Sequence, residues 1–144
     1  MLDPSARRKA LREADRKVTG RMVVDSAGGS GQFSQSIEQE FDAIFGDAAK
    51  SLKDSLAGDH PIYKITGRLD VEYRPYARRS LTGDLKAGRL RLMELNGKPA
   101  IIYSPEDLSA GLVGQAVDGI VGYTPPTAWR LMANIIQYAA QQSR

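Results

Sequence analysis

The chain reads as an α/β protein, and three features carry that reading. Met22-Val23-Val24 is a continuous apolar run too short for a helix, which suits a strand covered on both faces, as in a parallel sheet. A glycine-rich turn and an apolar-striped helix follow it, from Asp25 to Phe45. Further on, Asn96-Gly97 joins two alternating apolar runs, a strong hairpin signal. Together they predict a three-layer sandwich: a small, mostly parallel sheet, the hairpin at one side, and helices on both faces.

With 144 residues, 42% of them hydrophobic and 26% charged, the composition is that of one globular domain spanning 1–144. A net charge of +3 permits weak attraction to anions and does not argue for a nucleic-acid binder. The absence of cysteine excludes a disulfide framework, a thiolate zinc site and a cysteine nucleophile. No run approaches the ~18 apolar residues of a membrane span. Arg7-Arg8 lacks the apolar segment that an export signal needs. Taken as a whole protein, the chain is expected in the cytoplasm.

Each element follows from local signals. Asp3-Pro4-Ser5 is a helix start, with Leu11, Ala14 and Val18 at helical spacing among many basic residues. Thr19-Gly20 ends that helix, and the Met22 strand follows. Gly28, Gly29 and Gly31 let several backbone N–H groups converge, and Ser34 is placed to cap a helix striped by Ile37, Phe41, Ile44 and Phe45. Gly46-Asp47 breaks that helix before a short helical stretch over 48–56. Asp59-His60-Pro61 is a turn, and Leu69 to Tyr73 alternates like a half-exposed strand. Residues 74–88 read as a loop rich in Arg, Ser and Gly. Arg89–Leu95 and Pro99–Ser104 form the hairpin, with Leu90, Leu92, Ile101, Ile102 and Tyr103 toward the core. Thr124-Pro125-Pro126 opens a last, well-buried helix whose apolar face is widened by Trp129 and Ile136.

Ligands of open parallel sheets bind beyond the carboxyl ends of strands. Two such ends carry polar clusters: Asp25-Ser26 with Gly28 and Gly29, and Tyr103-Ser104 with Glu106 and Asp107. If the two strands are neighbours, their loops share one rim. Asp25 suits a ligand hydroxyl, a hard metal shared with Asp107, or a general base; its plainer role is to bond the N–H groups of its own turn. The glycine loop lacks the phosphate-loop lysine, the dinucleotide spacing and the nucleophile-elbow pattern. His60 is the single histidine, so a Ser-His-Asp relay would need it, and one histidine without cysteine argues against a transition-metal site. Arg74, Arg78 and Arg79 with Tyr73 and Tyr76 mix cations and aromatics as nucleic-acid binders do, but without any recognised module a solvated basic loop is the default.

The run 22–29, then Phe33, Asp59-His60-Pro61-Ile62-Tyr63, the run 102–109, and Gly122-Tyr123 before a helix holding Asn134 resemble the domain-of-unknown-function family 4159. The resemblance implies a relative of the class I glutamine amidotransferases, flavodoxin-like in fold and without their cysteine. Such members occur in bacteria beside AAA-type ATPases and von Willebrand A-domain proteins, many anchored in the cell envelope. Asp25, Gly28, Gly29, His60, Tyr103, Ser104, Asp107 and Asn134 match the recurring polar motif positions. Further β-α units usually precede the helix that begins here at Pro4, so the resemblance implies a carboxyl-terminal portion, or a natural short form, with an exposed sheet edge for another chain or domain to cover.

The leading expectation is a non-catalytic domain that binds a small ligand or a protein partner through Asp25, Ser26, Gly28, Gly29, Tyr103, Ser104 and Asp107, without metal or cofactor. The alternative is a hydrolase using Asp25 and His60, with Ser26 or Ser104 as nucleophile. It requires His60 within about 3 Å of a hydroxyl or of Asp25.

Overall fold

A computed structural model describes residues 3–6, 22–26, 29, 31–114 and 118–142. The basic arm around Leu11, Ala14 and Val18, the Thr19-Gly20 stop, Gly28 and Ser30 lie outside the described residues. Where the first helix starts, the Asp3 carboxylate accepts the N–H groups of Ser5 and Ala6 at 2.8 and 3.1 Å, as a helix-capping side chain does.

Three strands, β1 (Met22–Asp25), β2 (Arg91–Leu95) and β3 (Lys98–Ser104), form one sheet in the order β1-β3-β2. β1 lies parallel to β3, and β2 lies antiparallel to it. The sheet is therefore mixed, not mostly parallel. The hairpin supplies the reason: a two-residue turn can return the chain only antiparallel. Asn96 (φ 54) and Gly97 (φ 75) both take the left-handed conformation that such a turn demands.

Alternation along β3 sends its side chains to two separate cores. Ile101 and Tyr103 join Met93, Phe41, Ala49 and Leu52 on one face. Ile102 joins Leu92, Leu131 and Ile135 on the other. The first core is closed by α1 (Gln32–Phe45) and the 3-10 turn Gly46–Lys53 that continues it. The second is closed by the 3-10 turn Pro61–Tyr63, by α2 (Pro75–Ser80) and α3 (Ser109–Leu112), and by α4 (Pro125–Gln141).

Several expectations change. α1 begins at Gln32, so Ser34 lies inside it and not at its cap. The loop 74–88 contains α2, started by Pro75 and anchored by the fully buried Ala77. The alternating run 69–73 forms no strand; only Tyr73 pairs, across to Tyr123. β1 is not covered on both faces, because Met22 and Val23 remain 49% and 41% exposed. On α4, Trp129 and Ile136 face solvent, outside the face that meets the core. No helix among the described residues is long and apolar enough to cross a membrane.

Candidate functional site

The register of the parallel pair puts Asp25 opposite Ser104. The two strands are neighbours, so the carboxyl ends of β1 and β3 share one rim. From there the chain turns through Pro105 to Asp107, which is tied to the segment before α4: the Asp107 N–H donates to the Val121 carbonyl at 2.9 Å, and its own carbonyl accepts from Tyr123 at 3.1 Å.

Asp25 is spent on this loop. One carboxylate oxygen accepts the N–H of Leu108 at 2.8 Å and the other the N–H of Ser109 at 3.1 Å. Burial pushes its carboxyl above the ordinary value; the bonds from Leu108 and Ser109 oppose that shift and the nearby Asp107 charge adds to it. Asp107, itself buried, accepts the Ser109 hydroxyl and the Ala110 N–H through Oδ1, both at 3.0 Å. Two carboxylates therefore hold the turn into α3 by its first N–H groups.

The serines are engaged in the same way. Ser26 is fully buried and donates its hydroxyl to the Gly29 carbonyl at 2.8 Å; Ser34 donates to the same carbonyl at 3.1 Å, and the two hydroxyls touch each other. Ser104 donates to the Glu106 carbonyl at 2.6 Å. Gly29 (φ +89) is packed so closely on Val121 that no side chain fits there.

Tyr103 leaves the rim for the α1 face. Its hydroxyl donates to Glu38 Oε1 at 3.1 Å, and burial pushes its pKa up to about 12. Arg91 lies 3.5 Å from the same Glu38 oxygen and over the Tyr103 ring.

His60 is elsewhere. Its Nδ1 accepts the Ile62 N–H at 3.1 Å and its ring packs edge-on against Tyr138. Burial pulls its pKa below the ordinary imidazole value, partly offset by Glu94 and Asp59. Glu94 pairs with Pro99 and Asp25 with Ser104, five residues apart along β3, or roughly 16 Å. The structure does not bring His60 to Asp25, Ser26 or Ser104. Asn134 is buried in α4, where its Oδ1 accepts the Thr66 hydroxyl, away from the rim. Among the described residues no group of three or more His, Cys, Asp or Glu is arranged to hold a metal.

Glu106 and Arg74, which the sequence places in a polar cluster and in a basic loop, are buried, and Arg91, which it does not single out, is largely covered. Glu106 is 6% exposed, its Oε2 has no partner, and Arg89 stands 3.9 Å from Oε1. Burial raises its carboxyl pKa, and Arg89 and Arg91 pull it back. Nothing local in Pro105-Glu106-Asp107 distinguishes an inward carboxylate from a solvated one. Arg91 did leave a signal: the two-residue period of Arg91-Leu92-Met93 places it on the Met93 face. The polar side of Arg74 is likewise buried, with Nε donating to the Tyr123 carbonyl at 3.1 Å.

The family model described as domain of unknown function (DUF4159) matches residues 4–140. That match covers nearly all of the chain, so it gives no support to reading these residues as only a carboxyl-terminal portion of the family domain. It also carries no amidotransferase relationship. No curated protein and no solved structure matches the chain.

Proposed function

The chain belongs to the DUF4159 family, and we propose that it is a non-catalytic domain that binds a ligand or protein partner through the rim held by Asp25 and Asp107. One observation carries the reading: the carboxylates and hydroxyls of Asp25, Ser26, Ser104 and Asp107 are engaged in holding their own loops. A general base must reach the proton that it takes, and a nucleophile must have that base beside it. The rim is instead a fixed surface, with Val113 standing 74% exposed just beyond the clamped turn.

The amidotransferase-like, three-layer fold remains part of this proposal. The parallel β1–β3 pair and the cores on both sheet faces support it. The exposed Met22 and Val23 on edge strand β1 support a protein partner or self-association. No observation favours the hydrolase, since His60 caps its own turn, with Nδ1 taken by the Ile62 N–H.

The test is a thermal-shift screen of the wild type and Asp25→Asn against metals, nucleotides, sugars and small acids. A ligand at a hundred times its Kd adds ~2.7 kcal/mol, several degrees for a domain of this size. A shift present in the wild type and lost in Asp25→Asn is expected. Turnover of an ester, amide or phosphoester that His60→Ala or Asp25→Asn abolishes would overturn the proposal.

A further inference from the structure

A concave surface lies between α1 and the 3-10 turn that follows it. It is a cavity of about 320 Å³, at the lower end of the range for small-molecule sites. Its floor is apolar: Phe41, Ala49 and Leu52 are each at most 3% exposed. Its walls carry four charges, Glu38 and Asp42 against Lys53 and Arg91.

Three features of those charges select a ligand. They sum to zero, so a neutral molecule that carries both signs can meet all four at once, whereas a singly charged one meets only the two of opposite sign. They are paired only loosely, Arg91 with Glu38 at 3.5 Å and Lys53 with Asp42 at 3.7 Å. Charge-assisted hydrogen bonds run about 2.7–2.9 Å, so both pairs have closer contacts to gain from a third party. Arg91 is also held in place: one guanidinium nitrogen donates to the Leu52 carbonyl at 3.0 Å, and 22% of the side chain stays exposed. Glu38 is held as well, by the Tyr103 hydroxyl, and both of these contacts fall on Oε1.

We infer that this cavity binds a small zwitterion with a short apolar body, an α-amino acid being the plainest member of that class. Its carboxylate meets Arg91 and Lys53, its ammonium meets Glu38 and Asp42, and its side chain lies on Phe41 and Leu52. Each long ion pair is exchanged for short bonds to the ligand, and the net charge of the site stays at zero. The cavity is separate from the rim, so Asp25→Asn tests one and substitutions at Arg91 and Lys53 test the other.

The experiment is an amide NMR titration of the full chain with L-leucine, set beside 4-methylpentanoate and 3-methylbutylamine, which lack the ammonium and the carboxylate respectively. Saturable shifts are expected over Glu38–Asp42 and Ala49–Lys53, with each one-charge analogue bound at least about tenfold more weakly, the scale of one lost charge contact. Arg91→Gln should weaken leucine by a similar factor. Lys53→Gln, on a side chain 65% exposed, should weaken it without disturbing the fold. The inference is overturned if leucine gives no saturable shift at millimolar concentration, if either analogue binds as well as leucine, or if both variants bind it undiminished.

Discussion

The Asp25 carboxylate at the end of β1 accepts the N–H of Leu108 at 2.8 Å, 83 residues further along the chain. With the second bond from Ser109, one side chain ties the end of an edge strand to the loop that leaves its parallel neighbour. Asp25→Asn keeps the shape but turns one acceptor into a donor that faces an N–H. We expect a loss of about 1–3 kcal/mol, the usual cost of leaving a buried polar group unsatisfied, and a Tm lower by several degrees. An unchanged Tm would show that the tie contributes nothing.

Gly29 and Gly97 separate two reasons for a glycine. Both have positive φ, but a Cβ on Gly29 would run into the Val121 carbonyl, whereas Gly97 has open space around it. Gly97→Ala should cost only the left-handed backbone term, about 1 kcal/mol. Gly29→Ala should cost roughly 2–4 kcal/mol, because strain and a clash with the neighbouring backbone add. Urea midpoints of the two variants compare them directly.

Glu106 makes stability depend on pH in an unusual direction for a carboxylate. Its folded pKa is raised, chiefly by burial, above the ordinary 4.5. The favourable contribution is therefore complete below 4.5 and is lost as pH rises through the folded value. Glu106→Gln removes the titration and leaves Arg89 and Arg91, whose side chains are 20% and 22% exposed, without that charge. Relative to the wild type, the variant should gain stability as pH rises above 4.5, by about 1 kcal/mol at neutrality, the scale of one unsatisfied buried group. Denaturation curves at several pH values would reveal a variant that instead falls behind.

His60 acts with the opposite sign. Its folded pKa lies below the ordinary 6.5, mainly through burial, so its contribution is present above 6.5 and is lost as pH falls through the folded value. Protonating Nδ1 also removes the acceptor for the Ile62 N–H. His60→Asn keeps a capping acceptor and cannot titrate. The wild type should lose stability below pH 6.5 to a degree that the variant does not, as followed by thermal melts in matched buffers.

Trp129 is the only tryptophan in the sequence and is 61% exposed. Its fluorescence should be readily quenched by iodide, and Trp129→Gln should change stability by no more than about 0.5 kcal/mol. Protected emission would mean that something covers this face of α4.

The parts legible in the sequence were those whose causes are local. Asn96-Gly97 needs no distant contact to turn the chain, and Pro125-Pro126 starts α4 by removing N–H groups that have no partner there. The run 74–88 misled because its three arginines and its glycines describe a solvated surface, while the buried Ala77 that docks α2 carries no pattern. The alternation of 69–73 misled for the converse reason: a two-residue period shows which faces differ, not whether a neighbouring strand exists to pair with.

Local residue patterns thus establish an α/β chain with a hairpin, an apolar first strand and two polar clusters at strand ends. Long-range packing sets β1 beside β3, brings Asp25 to Leu108 and Ser109, and turns Glu106 and Arg91 inward. Turns and helix starts follow from backbone constraints within a few residues, whereas the partner of a carboxylate is chosen by packing between segments that approach each other only after the chain has folded.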